Sequence, residues 1–188
     1  LLDAAGISSG EINTVAVGKG PGSYTGVRVG MIFGAVTAWA TGADFQAVPS
    51  LLALGASIME ISGAQTVVST ANAYRGEVYV RVVRRNDGEI NAGRDDVVPA
   101  ASFRDFVQTT AAACGGEVTV AGFGCDLLVT DVPGGVRLLR EEPEAGALAV
   151  LRTTALFGAQ EFAARPEALP ELYLRKAAAE IQMEQKQP

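Results

Sequence analysis

Two hydrophobic rhythms divide the 188-residue chain. In the first, apolar runs alternate with glycine-rich breaks. The opening stretch LLDAAG reads as the last turn of a helix, with Gly6 as its C-terminal stop. A chain that opens in mid-helix is expected to lack an N-terminal segment. After the turn-rich connector GISSGEIN, the short apolar run TVAVG (Thr14 to Gly18) predicts a buried strand. The loop KGPGSYTG follows, and a long apolar stretch then predicts a helix from about Thr25 to Ala40, ended near Gly42. DFQAVPS predicts a second strand that stops at Pro49. Ser50 is placed to cap a helix through LLALGASIMEI, where Leu51, Leu54, Ile58 and Ile61 fall on helical spacing. The order β-loop-α-β-α predicts parallel strands joined by helical crossovers.

The second rhythm begins after Ser62-Gly63 and has period two. Val78, Val80 and Val82 are expected on one face of a strand, and Tyr79, Arg81 and Val83 on the other. The turn signals YRG and NDGE predict an antiparallel meander of three strands, the third near DDVVP. A helix is predicted from about Ser102 to Ala113, then a buried strand at EVTVAGFG and a short one at VRLL. EAGALAVLRTTALFGAQEFAA reads as an amphipathic helix ended before Pro166, and the last residues as a polar, partly frayed tail. The chain is therefore expected to form two α/β subdomains, residues 1–62 and 63–188.

Composition narrows the chemistry. Apolar residues make up 48% of the chain, enough for a sizeable core. The net charge of −6 and the absence of a basic cluster make this chain, acting alone, a poor nucleic-acid binder. There is no histidine, which removes histidine-built zinc sites, Ser-His-Asp triads and Cys-His pairs. Cys114 and Cys125 read as small residues of a reducing compartment, with one bridge between them as the open alternative. Nothing resembles a signal peptide or a spanning helix, so a soluble, cytoplasmic protein without membrane contact is expected. Asp95 and Asp96 read as a solvated turn, and Glu77 as an acid that starts a strand after a turn glycine.

The stretch GKGPGSYTGVRVGMIFG concentrates the candidate function. Gly20, Gly22, Ser23 and Thr25 suit a phosphate cradle at a helix N-terminus. The spacing fits neither the P-loop nor the dinucleotide fingerprint, which favours a tight strand-to-helix turn. Behind it, Gly26, Gly30, Gly34 and Ala38 recur every fourth residue, flanked by Val27, Met31, Phe33, Val36 and Trp39. Three helix glycines cost about 3 kcal/mol together unless close packing offsets them. Two readings stand: a glycine face on the protein's own sheet, or a subunit interface. The apolar breadth of the helix favours the interface.

These residues resemble the TsaB, or YeaZ-type, family of accessory proteins in tRNA threonylcarbamoyladenosine synthesis. Gly20, Pro21, Gly22, Ser23, Tyr24, Thr25, Gly26, Val27, Arg28, Val29 and Gly30 match its motif GPGSFTGLRIG nearly throughout. Arg75, Gly76, Glu77, Val78 and Tyr79 match the end of DARRGEVY, with Asn72 and Tyr74 departing from it. Tyr173, Leu174 and Arg175 match the family's tail.

The resemblance implies an actin/hexokinase-like (ASKHA) two-domain fold with an incomplete first domain. It implies a non-catalytic subunit that supports a TsaD-like catalytic partner, with a TsaE-like ATPase in the same complex and a homodimer as a further option. ATP or ADP and metal are expected on the partner subunits and no cofactor in this chain; tRNA is met only through the complex. Carried over by residue, the interface is Gly26, Val27, Gly30, Met31, Gly34 and Ala38. The alternative is a nucleotide-binding phosphotransferase of the same fold. The family's older glycoprotease label finds no nucleophile-base pair or metal spacing to support it.

Overall fold

The computed structural model describes residues 2–140, 146–158 and 161–165. It is built in alternating layers. Helix α1 (Leu2–Ala5) ends at Gly6, whose φ of 67° supplies the left-handed stop expected there. A 3-10 turn at Ser9–Glu11 follows, capped reciprocally by Ser8 and Glu11. Strand β1 (Thr14–Gly18) pairs in parallel with β2 (Asp44–Val48), and α2 (Tyr24–Thr41) is the crossover between them. Helix α3 (Ser50–Ser62) then leads into a six-stranded sheet.

That sheet holds β3 (Thr66–Tyr74) between antiparallel β4 (Glu77–Asn86) and parallel β7 (Val118–Gly122), with β8 (Val136–Leu139) beyond β7. The outer edge of β4 carries β5 (Glu89–Asn91) at one end and β6 (Asp95–Pro99) at the other. The meander is thus as predicted, with β5 as an addition. Asp87 and Gly88, at φ 50° and 86°, make the tight hairpin between β4 and β5. Helices α4 (Phe103–Cys114) and α5 (Gly124–Leu128) cover one face, and α3 and α6 (Ala147–Phe157) the other.

The period-two reading of β4 explains why both faces are covered. Val78, Val80 and Val82 pack with Phe103, Val107 and Leu128 under α4 and α5. Val83 faces the opposite way, with Leu52, Ile58 and Met59 of α3. A third cluster joins Met31, Ala35 and Ala38 of α2 to Phe45 and Ala47 of β2, flanked by Val15 and Val17. The layers therefore run α2, the β1–β2 pair, α3 with α6, the large sheet, then α4 with α5.

Several expectations are corrected. Ser50 is the first residue of α3 rather than its cap; Pro49 holds the cap position and Ser50 bonds backward instead. Helix α3 is buried nearly all round, Leu52, Ala53, Ala56 and Met59 included, while Ile61 is exposed. Asp95 is not a solvated residue: its carboxylate accepts from Arg81 Nε at 2.6 Å, with both side chains about nine-tenths buried.

The last helix stops at Phe157, well short of Pro166, because Gly158 turns the chain at φ 87°. Residues 162–164 then run antiparallel to β2. Ala47 N–H donates to Phe162 O, and Ala164 N–H to Phe45 O. This piece of the 63–188 segment therefore belongs to the first sheet. Tyr173, Leu174 and Arg175 lie outside the described residues.

Candidate functional site

The glycine motif folds as a stitched turn. Gly20 N–H donates to Ser50 Oγ at 3.1 Å, and Ser50 N–H donates to Gly20 O at 2.8 Å. Lys19 N–H donates to Val48 O at 2.8 Å. The loop is thereby fastened to the junction of β2 and α3, and Gly20 takes φ 88°, open to glycine without strain. Ser23 caps α2, its hydroxyl accepting from Gly26 N–H at 3.4 Å. Arg28 stacks 4.5 Å over the Tyr24 ring one turn on. The amides of Gly20 and Gly26, which a phosphate cradle would present, are spent on serine hydroxyls. Pro21 is half-buried, and Gly22 and Thr25 are exposed.

Behind the loop, α2 divides into two faces, and the fourfold series of small residues does not follow either. A step of four residues overshoots a full turn by about 40°, so the series winds by about 120° from Gly26 to Ala38. Its end is buried. Met31 is fully covered, Ala38 is 1% exposed, and Val27 packs on the same cluster. A Cβ at Gly34 would collide with Val17 of β1 and come within 3.2 Å of the Phe45 ring. Met31, Gly34 and Ala38, with half-buried Val27 on the same seam, are therefore internal packing residues, which corrects their assignment to an interface. The start of the series is open: a Cβ at Gly30 would meet nothing within 4 Å, and one at Gly26 only its own cap Ser23.

The outer face of α2 is apolar and exposed. Val29, Ile32, Phe33, Val36 and Trp39 are between 53% and 75% exposed. Arg28 is the one charge on this helix. A large apolar side chain left fully in water forgoes about 1.5–3 kcal/mol of burial, so a stripe of five that is mostly exposed is a candidate contact surface. Gly30 lies at the edge of this stripe, one turn before Phe33, and leaves a notch where a second backbone can approach. Val29 and Ile32 are not among the residues to which the sequence resemblance assigns docking, which are Gly26, Val27, Gly30, Met31, Gly34 and Ala38. The inward seam Val27, Met31, Ala35, Ala38 has the 3–4 spacing of a buried stripe, and its complement is this outer face.

The second motif sits on the other sheet. Arg75 (φ 53°) and Gly76 (φ 79°) form the two-residue turn between β3 and β4, closed by the Tyr74–Glu77 pair. Asn72 Oδ1 accepts from Tyr74 N–H at 2.7 Å, and the register shifts between these two residues. Arg75 is exposed and Glu77 half-buried. This motif builds a bulged hairpin, separate from α2. Cys114 and Cys125 are both free, and Cys125 is buried, its thiol bonded to Val120 O. Among the described residues no group of three or more His, Cys, Asp or Glu could hold a metal ion, and no helix is long and apolar enough to cross a membrane.

Known proteins resemble this chain in sequence and in fold. Residues 1–112 match the family TsaD: tRNA N6-adenosine threonylcarbamoyltransferase. The tRNA threonylcarbamoyladenosine biosynthesis protein TsaB of Haemophilus influenzae is 37% identical over 87 residues, 45% of this chain and 36% of its own. Its namesakes in Escherichia coli and Bacillus subtilis are 34% and 32% identical over 97 and 99 residues, each match covering 41% of the relative and about half of this chain. The chain thus spans about two fifths of the length of these curated relatives.

The solved structure of YeaZ from Pseudomonas aeruginosa superposes with a TM-score of 0.74 at 29% identity, covering 93% of this chain and 80% of that one. An uncharacterized protein from the same organism, with similarity to peptidase YEAZ, gives 0.71 at 26% over 93% and 79%. The resemblance to TsaB and YeaZ-type sequences and the actin/hexokinase-like α/β fold both stand on these matches.

Proposed function

The chain belongs to the TsaD, or tRNA N6-adenosine threonylcarbamoyltransferase, family, and from that premise we propose that it is an accessory subunit of the machinery that makes threonylcarbamoyladenosine in tRNA. Its task is to hold a TsaD-like catalytic subunit. The observation that carries this reading is the outer face of α2, where five exposed apolar side chains form a stripe with the open backbone of Gly30 at its edge. A partner helix laid along that face would bury the stripe and reach the α2 backbone at the notch. The relatives named for threonylcarbamoyladenosine biosynthesis support the choice of pathway.

In this reading nucleotide and metal belong to the partner subunits, including a TsaE-like ATPase, and tRNA is engaged by the assembled complex. The work is done in the cytoplasm, and a homodimer through the same helix competes with the catalytic partner. The chain's own histidine-free, net negative composition fits a support role.

The test is co-purification with the TsaD-like subunit of the same organism. Gly30→Leu fills the notch, and Phe33→Asp places a charge on the stripe; both are expected to keep the fold and lose the partner. Retention of the partner by both folded variants overturns the assignment. Phosphoryl transfer or ATP hydrolysis by the isolated chain would favour the phosphotransferase alternative.

A further inference from the structure

Beyond the docking helix, the large sheet carries a cavity of about 680 Å³ between β4 and α4, within the size range of small-molecule sites. Val82 and Val98 line it from the sheet, and Phe106 and Ala113 from the helix. Arg84 lies on the same face of β4 as Val82, two residues on, so the strand's alternation carries its half-buried side chain to the groove. Arg81 and Arg104 each have a carboxylate, Asp95 and Asp131. Arg84 instead donates through Nη2 to the thiol of Cys114, a weak acceptor. Its Nε is shielded from water without a hydrogen-bond partner among the described residues. A partly desolvated cation held this way calls for an anion. Asp105 also borders the groove but is exposed, so water rather than Arg84 balances it.

We propose that this groove binds a small organic monoanion. Its carboxylate lies against the Arg84 guanidinium, and its aliphatic or aromatic body covers Val82, Val98 and Phe106. Asp105 on the same wall disfavours a second negative charge, which selects against dicarboxylates and phosphodiester chains.

The test is a titration of the isotope-labelled full chain, followed by backbone amide NMR, with octanoate below its micelle-forming concentration, 1-octanol and suberate. Octanoate is expected to give saturable shifts at Val82, Arg84, Phe106 and Ala113, with suberate and octanol each weaker. Arg84→Met should weaken octanoate at least about tenfold, the loss of one charge-assisted contact. If that variant fails to fold, Thr109→Trp fills the groove from an exposed helix position and should abolish the shifts with Arg84 intact. Octanol binding as tightly as octanoate, octanoate shifts confined to α2, or undiminished binding by folded Arg84→Met would each overturn the proposal.

Discussion

Gly34 of α2 faces Val17 of β1 so closely that a single methyl group would not fit, whereas Gly30, one turn earlier, faces open space. The same residue type thus serves two purposes four positions apart. Gly34→Leu is expected to destabilise the chain by about 3 kcal/mol through overpacking. Gly30→Ala should instead stabilise it by about 1 kcal/mol, the helix propensity of alanine over glycine. Thermal melts of the two variants check the contrast; equal effects would place both glycines in one environment.

Trp39 is the single tryptophan of the chain and is 75% exposed on the outer face of α2. Its emission in the free chain is expected at the red wavelengths of a hydrated indole. Docking of a partner helix should shift it to the blue and protect it from iodide quenching. A complex that leaves the spectrum unchanged would show that docking uses a different surface.

The helix illustrates what the residue pattern conveys. A strongly apolar segment after a glycine loop is legible as a helix, and its ends were found within a residue or so at Tyr24 and Thr41. Which side faces inward was harder, because little polar contrast marks a face and Arg28 is its one charge. The fourfold glycine series looked like a face but winds across two. Asp95 misled for a related reason: in sequence it stands beside Asp96 after a turn, yet antiparallel pairing sets it against Arg81 on β4. Long-range register decides such contacts, and single-strand patterns do not carry it.

That ion pair makes its own prediction. Asp95→Ala leaves the Arg81 guanidinium buried without its carboxylate, an uncompensated charge expected to cost about 3–5 kcal/mol. Arg104→Ala, which removes a more exposed pair with Asp131, should cost less than about 1 kcal/mol. Denaturant unfolding of both variants measures the difference.

Ser50 ties the glycine loop to α3 from both sides of one residue. Ser50→Ala removes the acceptor of Gly20 N–H and is expected to cost about 1–2 kcal/mol. Amide exchange at Gly20 should accelerate while exchange in β4 is unchanged.

Burial pushes the Cys125 thiol above its ordinary pKa. The neutral thiol is the form the fold favours, so its contribution is fully present below the ordinary thiol range and lost as pH rises through the raised value. Melts from neutral to alkaline pH should show a steeper loss for the native chain than for Cys125→Ala. Parallel curves would remove the thiol from the alkaline transition.

The return of residues 162–164 to the edge of β2 means that, among the described residues, the chain passes between the two sheets twice, once after α3 and once after α6. A body hung on a single tether can swivel in every direction. A second crossing removes part of that freedom, because backbone hydrogen bonds then clamp the edge of β2 to the segment that follows α6.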